Sequence, residues 1–365
     1  MSRFAATFSR IGFASVTALA TVGACTSFRT EPPAGSGAPD ASPSPVALDQ
    51  ATPDAVAPAS PLKPVTGDLP KVDYHGVSAV SPTRVFIVGD EMLLDWDGKD
   101  WNVTRSGGTT FYGVYADADS AYAVGTRKNT NTGVMYYQAK TTARWIELAT
   151  VAHGLHAMWG SGQSRVAAGN DGAIYYGQEP QPFKSAIQVD KFAGVPDTLF
   201  SPQIGGVGGN SPNRVVAAAG PGGWAGFDGV QWKAFGHPDP SISFRSVWGP
   251  PGDHLDVIIG GNYYSLWGFR GARNDAGERI PTSLLSQERD DVLDGAHFIN
   301  GIWGESTRHF VAVGSSGRVM VFTQGELPNI IATSAGARDL WGVSGTDFAD
   351  VWVVGDDGLI LHGSL

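Results

Sequence analysis

Cysteine is almost missing from the 365-residue chain: Cys25 is the only one. No disulfide can form within it, so stability must come from packing. Charge is also scarce, at 16% of residues, and 25 basic residues against 35 acidic ones leave a net charge of −10. Such a surface argues against nucleic acid as a partner, because phosphate recognition needs a basic face. Past the first two dozen residues no apolar run is long enough to cross a bilayer. Also missing are His-x-x-x-His, a cysteine cluster, a regularly spaced carboxylate loop and a glycine-rich loop leading into a helix. Neither a metal site nor a cofactor is therefore expected. His153 and His156 lie close in sequence, but in a segment leading into a strand they share no helical face. With 35 acidic residues, some carboxylate pair will meet a glycosidase spacing by chance, so acidity alone points to no catalytic site.

The N-terminus has a leader's composition. Arg3 and Arg10 form a basic region, and Ile11 to Ala20 is apolar, small-residue rich and uncharged. Val22-Gly23-Ala24-Cys25 follows and resembles the bacterial lipoprotein box, which implies residues 1–24 as a signal peptide and lipidation of Cys25. Removing the leader takes the charge to −12. Several acyl chains on one cysteine anchor firmly, at about 0.8 kcal/mol per buried methylene. Thr26 and Ser27, with no Asp after the cysteine, favour the outer membrane under the enteric sorting rule. From Cys25 to residue 64 the chain is rich in Pro, Ala, Ser and Asp and poor in large apolar residues. Such a segment is expected to be a disordered tether. The folded domain is placed at residues 65–365.

The domain is dominated by an internal repeat: an apolar residue or Trp, a Gly, a polar turn, an apolar run and a closing Gly. Leu340–Gly363 is the clearest copy, with relatives starting at Gly76, Gly113, Met158, Gly206, Val247 and Ile302. The closing glycines are Gly89, Gly125, Gly169, Gly220, Gly260, Gly314 and Gly355, at intervals from 36 to 54 residues. Each copy divides into strands. Leu340–Val343 is short, with Gly where backbones crowd, and Asp350–Val354 is β-branched and aromatic, as a strand buried on both faces should be. Gly355–Gly358 supplies the turn and Leu359–His362 returns. A fourth element follows an Asp-Gly turn at Trp96–Trp101 and Phe227–Trp232. The pattern predicts an all-β fold, a single β-propeller of about seven four-stranded blades. The last copy lacks its outer strand, and Leu62 to Asp68 is expected to supply it and close the ring.

These copies resemble the WG…DVWxVG repeats of propeller lipoproteins from myxobacteria and related bacteria. They are also similar to BNR or Asp-box propellers and to photosystem-assembly-factor propellers. The resemblance implies the fold and carries little about a ligand. The full Asp-box is not met, since Trp96-Asp97-Gly98 and Phe227-Asp228-Gly229 keep only the turn. Arg279-Ile280-Pro281 matches a sialidase triplet, but it lies late in the chain and after Glu278. Coincidence is the better reading.

Trp159, Trp248, Trp303 and Trp341 align in four copies, and packing between blades explains them better than a ring of ligand-stacking side chains. The break in the repeat after Gly260 is the candidate binding loop. It carries Tyr263, Tyr264, Trp267 and Phe269 with Arg270, Arg273, Arg279 and Arg289, and such residues anchor interfaces. The connection from Gln178 to Gln203 is a second candidate, with Phe183, Phe192 and Phe200. The function expected is a non-enzymatic envelope protein, membrane-attached through Cys25, binding a protein partner or polysaccharide by one loop-bearing face. The alternative is a glycosidase or lyase acting at the propeller's channel mouth.

Overall fold

The computed structural model describes residues 61–365, apart from 179–183, 189–202, 221, 237–240, 253–255, 264, 269–281, 286–296, 325 and 332. The leader, Cys25 and nearly all of the tether lie outside the described residues. The fold is all-β, with 26 strands and two single-turn 3-10 segments among the described residues. Seven innermost strands touch in cyclic order around one axis. They are Tyr74–Ser81, the second half of Trp101–Ala116, Leu155–Ser161, Gln203–Ser211, Phe244–Trp248, Ile299–Ser306 and Leu340–Asp347, which returns to the first. The molecule is a β-propeller.

The blade count differs from expectation. The strands form six hydrogen-bonded sheets, five of four strands and one of six, in place of seven separate blades. The first two sequence repeats share the large sheet. Its strand Arg84–Trp96 passes through the second-to-third-strand turn without a break, with Glu91 left-handed at φ 58°. Strand Trp101–Ala116 likewise runs from the outer edge of the first repeat into the inner strand of the second, bending at Gly107 and Gly108. Asp90 pairs with Thr110 across the join, so the ladder is continuous.

Closure follows the expected route. Leu62–Pro64 pairs antiparallel with Ile360–Gly363 as the outer strand of the last sheet, so the sheet begins ahead of the boundary drawn at residue 65. Leu62 is fully buried there.

The second strand of each repeat supplies the core. Asp350–Gly355 and Ser164–Gly169 are buried at every position. Alternation sends their side chains to opposite faces, and each face belongs to a different inter-blade cluster. Val351 and Val353 join Val311 and Val313 of the preceding blade, while Trp352 and Val354 join Tyr74 and Ile87 of the next. Each fully buried branched side chain contributes about 1.5–3 kcal/mol. The Asp-Gly turns form as expected. Asp97 Oδ1 accepts from the Lys99 and Asp100 amides at 2.9 and 2.8 Å, and Asp228 Oδ1 accepts from Val230 and Gln231 at 3.0 and 2.9 Å. Those amides hold both carboxyls below the usual carboxylate range.

One buried polar cluster braces the closing blade. Asp350 accepts from Thr346 Oγ1 at 2.7 Å, Trp352 Nε1 at 3.1 Å and His362 Nε2 at 2.7 Å, and His362 stacks on Trp352 at 3.9 Å. Asp350→Ala leaves the buried indole donor unpaired and is expected to cost roughly 2–4 kcal/mol. Urea unfolding measures this, and an unchanged midpoint would show that the cluster carries no stability.

Candidate functional site

Every repeat begins its inner strand with the same irregularity. The pairing with the second strand skips one residue between Tyr74 and Gly76, Phe111 and Gly113, Leu155 and Ala157, Ile204 and Gly206, Phe244 and Ser246, Ile299 and Gly301, and Leu340 and Gly342. The skipped residue is a β-bulge, a device that re-aims a side chain. Its neighbours explain it. In five repeats the residue after the second strand's last glycine donates its amide to the carbonyl two positions before the bulge, as in Asp90 to Asp73 at 3.0 Å and Asp356 to Asp339 at 3.1 Å. That carbonyl lies against the closing glycine, and a Cβ on Gly89, Gly169, Gly314 or Gly355 would collide with it. On the other side, Gly76, Gly113, Gly206, Gly301 and Gly342 follow the bulge where the next inner strand crowds in. A Cβ on Gly113 would lie 2.8 Å from the Met158 nitrogen.

The seven bulged residues are His75, Tyr112, His156, Gly205, Arg245, Asn300 and Trp341. All seven line one cavity of about 540 Å³, joined among the described residues by Gln203, Gly220, Ser243 and Phe244. This volume falls within the range of small-ligand sites.

One side of the cavity is an arc of rings. Trp341 and His75 are 5.9 Å apart, His75 and Tyr112 5.1 Å, and Tyr112 and His156 4.6 Å. Three members are oriented by the residue that follows the closing glycine of their own repeat. Asp90 Oδ1 meets His75 Nε2 at 3.3 Å, Asn170 Oδ1 accepts from His156 Nε2 at 2.7 Å, and Asp356 Oδ1 accepts from Trp341 Nε1 at 2.6 Å. The Asn170 amide is itself fixed, donating to Asn131 Oδ1 at 2.7 Å.

The other side is polar. Gly205 contributes no side chain. Beside it the Arg245 guanidinium lies 3.5 Å above the Phe298 ring, and it has no ion-pair or hydrogen-bond partner among the described residues. Asn300 donates Nδ2 to the Leu340 carbonyl at 2.9 Å, and its buried Oδ1 accepts nothing. No Asp or Glu is among the described lining residues.

Burial pushes the His156 imidazole below its ordinary value, while the Asn170 hydrogen bond pulls it up and nearby His75 adds to the depression. Burial raises the Tyr112 phenol, with the Asp90 charge adding to it. Burial lowers Arg245, against the opposing charge of Asp339.

The tryptophan alignment needs correction. Trp159, Trp248 and Trp303 follow the bulge by three residues and pack against inter-blade clusters, which is the packing role expected of them. Trp341 is itself a bulge residue in the cavity wall, and the counterpart of the other three in its repeat is Ser344, which accepts the Ala79 amide at 3.0 Å. The sequence alignment was out by three positions in that copy.

Of the predicted loop, Tyr264, Phe269, Arg270, Arg273, Arg279 and Arg289 lie outside the described residues, as do Phe183, Phe192 and Phe200. Trp267 is on strand Leu266–Gly268, packed against the Trp224, Ile242 and Ile259 cluster. Tyr263 is exposed and left-handed, with φ 53°. The matching turn positions elsewhere hold Glu91, Asp171, Ser316 and Asp357. A bulky residue there is costly, which marks a position to examine for function. Adjacent Asn262 accepts the amide of Ser243, a cavity residue, at 2.9 Å, so Tyr263 stands at the cavity end of its blade. The stretch after Gly260 is not wholly a loop, because Leu266–Gly268 and Thr282–Leu285 are two strands of the blade.

Protonation of His156 gives a pH test. Unfolded His binds protons below about pH 6.5, whereas the buried ring resists until lower pH. The unfolded state then holds more protons, so stability falls as pH drops below that value. His156→Gln should flatten this slope, as read by melting temperature between pH 7.5 and 4.5. An unchanged slope would remove His156 as its source.

No family model matches the chain, and no curated protein matches it. Solved structures do. YCF48 bound to a D1 peptide is similar at TM-score 0.61 and 13% identity, covering 84% of this chain and 97% of that one. YCF48 from Cyanidioschyzon merolae gives 0.63 and 14%, covering 84% and 99%. A catalytically inactive virginiamycin B lyase from Staphylococcus aureus, with quinupristin, gives 0.64 and 9%, covering 83% and 99%. At these identities the likeness shows the propeller fold alone.

Proposed function

We propose that this chain is a binding or scaffold protein of the bacterial cell envelope, anchored by lipid on Cys25 in the outer membrane, and that it engages a protein partner at the axial cavity. One observation carries the reading. Structural positions repeat their chemistry around the ring, as the closing and crowding glycines do. The seven bulge positions share a backbone geometry but hold His, Tyr, His, Gly, Arg, Asn and Trp. The fold makes no common demand there, so recognition is free to choose the side chains. The peptide-bound YCF48 propeller offers a precedent of fold for a protein partner, and Tyr263 at the cavity end extends the surface.

The carbohydrate-active alternative stands lower. A glycosidase needs two carboxyl groups about 5–5.5 or 6.5–9.5 Å apart around its substrate. The described lining supplies none, and nearby Asp90 is engaged by His75 and Thr110.

Crosslinked pull-down from host envelopes tests the binding site. The Tyr112→Ala/Trp341→Ala variant, checked for an unchanged unfolding midpoint, should lose the captured partner at least tenfold, and equal capture would move the site off the axis. Labelling with an alkyne palmitate analogue tests the anchor. Cys25→Ser should abolish the label and release the protein to the soluble fraction, and retained label would refute lipidation there.

A further inference from the structure

Building on that reading, we infer that the axial cavity recognises the C-terminal carboxylate of its partner's chain, with Arg245 as the anion anchor. Arg245 is the only Lys or Arg in the described wall, and it has no ion pair or hydrogen bond among the described residues. Phe298 covers one face of its guanidinium and keeps it from folding back toward that side. Gly205 beside it adds no side chain to the cavity, and its backbone packs so close that a Cβ there would come within 3.1 Å of the Arg245 Cα. No acidic residue is in the described wall, and the carboxylates that act on it, Asp339 on Arg245 and Asp90 and Asp356 behind His75 and Trp341, do so from outside the lining.

The neighbouring group fits the rest of a chain end. Asn300 comes next after Arg245 around the ring; its Oδ1 has no donor and is closed to solvent, so a ligand N–H reaches it once the side chain turns toward the cavity. A carboxylate alone offers none, whereas a peptide terminus carries a backbone N–H two bonds from its carboxyl carbon. The terminal side chain then faces the arc of Trp341, His75, Tyr112 and His156. Size separates a terminus from an internal acidic loop. About 540 Å³ admits a few residues of one strand, while a loop must bring two strands through the same mouth. Capture of a terminal carboxylate by fixed donors is a recurring mode of peptide recognition.

The test uses the full propeller with two random octapeptide libraries, one with free C-termini and one amidated, and a uronic-acid oligosaccharide as glycan probe. Binding is read by tryptophan fluorescence and by enrichment. The expected result is selection from the free-acid library, with enriched peptides weakened at least tenfold by amidation. Arg245→Gln should erase that difference at unchanged melting temperature, and Arg245→Lys should keep part of it. Equal binding of acid and amide, no enrichment from either library, or preference for the uronate over every peptide would each overturn the inference. Partner capture lost in the Tyr112→Ala/Trp341→Ala variant alongside such a result would leave the protein-binding role standing and remove only the terminal-carboxylate mode.

Discussion

The contact of a carbonyl with the closing glycine's Cα is the constraint on which the rest of the molecule depends. At that point the entering chain lies so close to the second strand that no side chain fits, as at Gly89, Gly169, Gly314 and Gly355. The amide after the glycine ties down that carbonyl. With the start of the inner strand pinned and its later residues held in the ladder, one residue has no partner and bulges toward the axis. The same short segment therefore closes the blade core and exposes a side chain to the hub. In three repeats the residue after the glycine also fixes that side chain, as Asp90, Asn170 and Asp356 do.

The architecture separates stability from recognition. Burial is carried by the second strands, whose alternating side chains feed two inter-blade clusters. The bulge residues make little of that core. Asp350 and its three donors show the opposite case, a polar group committed wholly to the fold. Polar residues of the two kinds look alike in composition and are told apart by what they face.

Much of the fold was legible in the sequence because its signals are local. Asp97 and Asp228 announce their turns, β-branched runs such as Val351–Val354 announce buried strands, and the missing outer strand points to Leu62. The sheet count was not legible, because whether Glu91 and Gly107-Gly108 break a ladder or bend it depends on pairing across repeats. The cavity was missed for a related reason. Its residues differ from copy to copy, and a search for similarity passes over them. A signal was nonetheless present: a large apolar residue, any residue, then a small one. It reads Tyr-His-Gly, Phe-Tyr-Gly, Leu-His-Ala, Ile-Gly-Gly, Phe-Arg-Ser, Ile-Asn-Gly and Leu-Trp-Gly. Trp341 was misplaced because Leu-Trp-Gly of that triplet imitates Ile-Trp-Gly three positions later in its neighbour.

The clasp at Leu62–Pro64 has a mechanical side. Any pull transmitted through the residues before Leu62 enters the fold at this three-residue strand, reinforced by the Val65 amide on the Ile360 carbonyl at 2.9 Å. The strand lies on the rim of the wheel, so tension loads a handful of hydrogen bonds and one buried leucine before it reaches the hub. Under stretch the rim seam is loaded first, ahead of the seven inner strands and the cavity they surround.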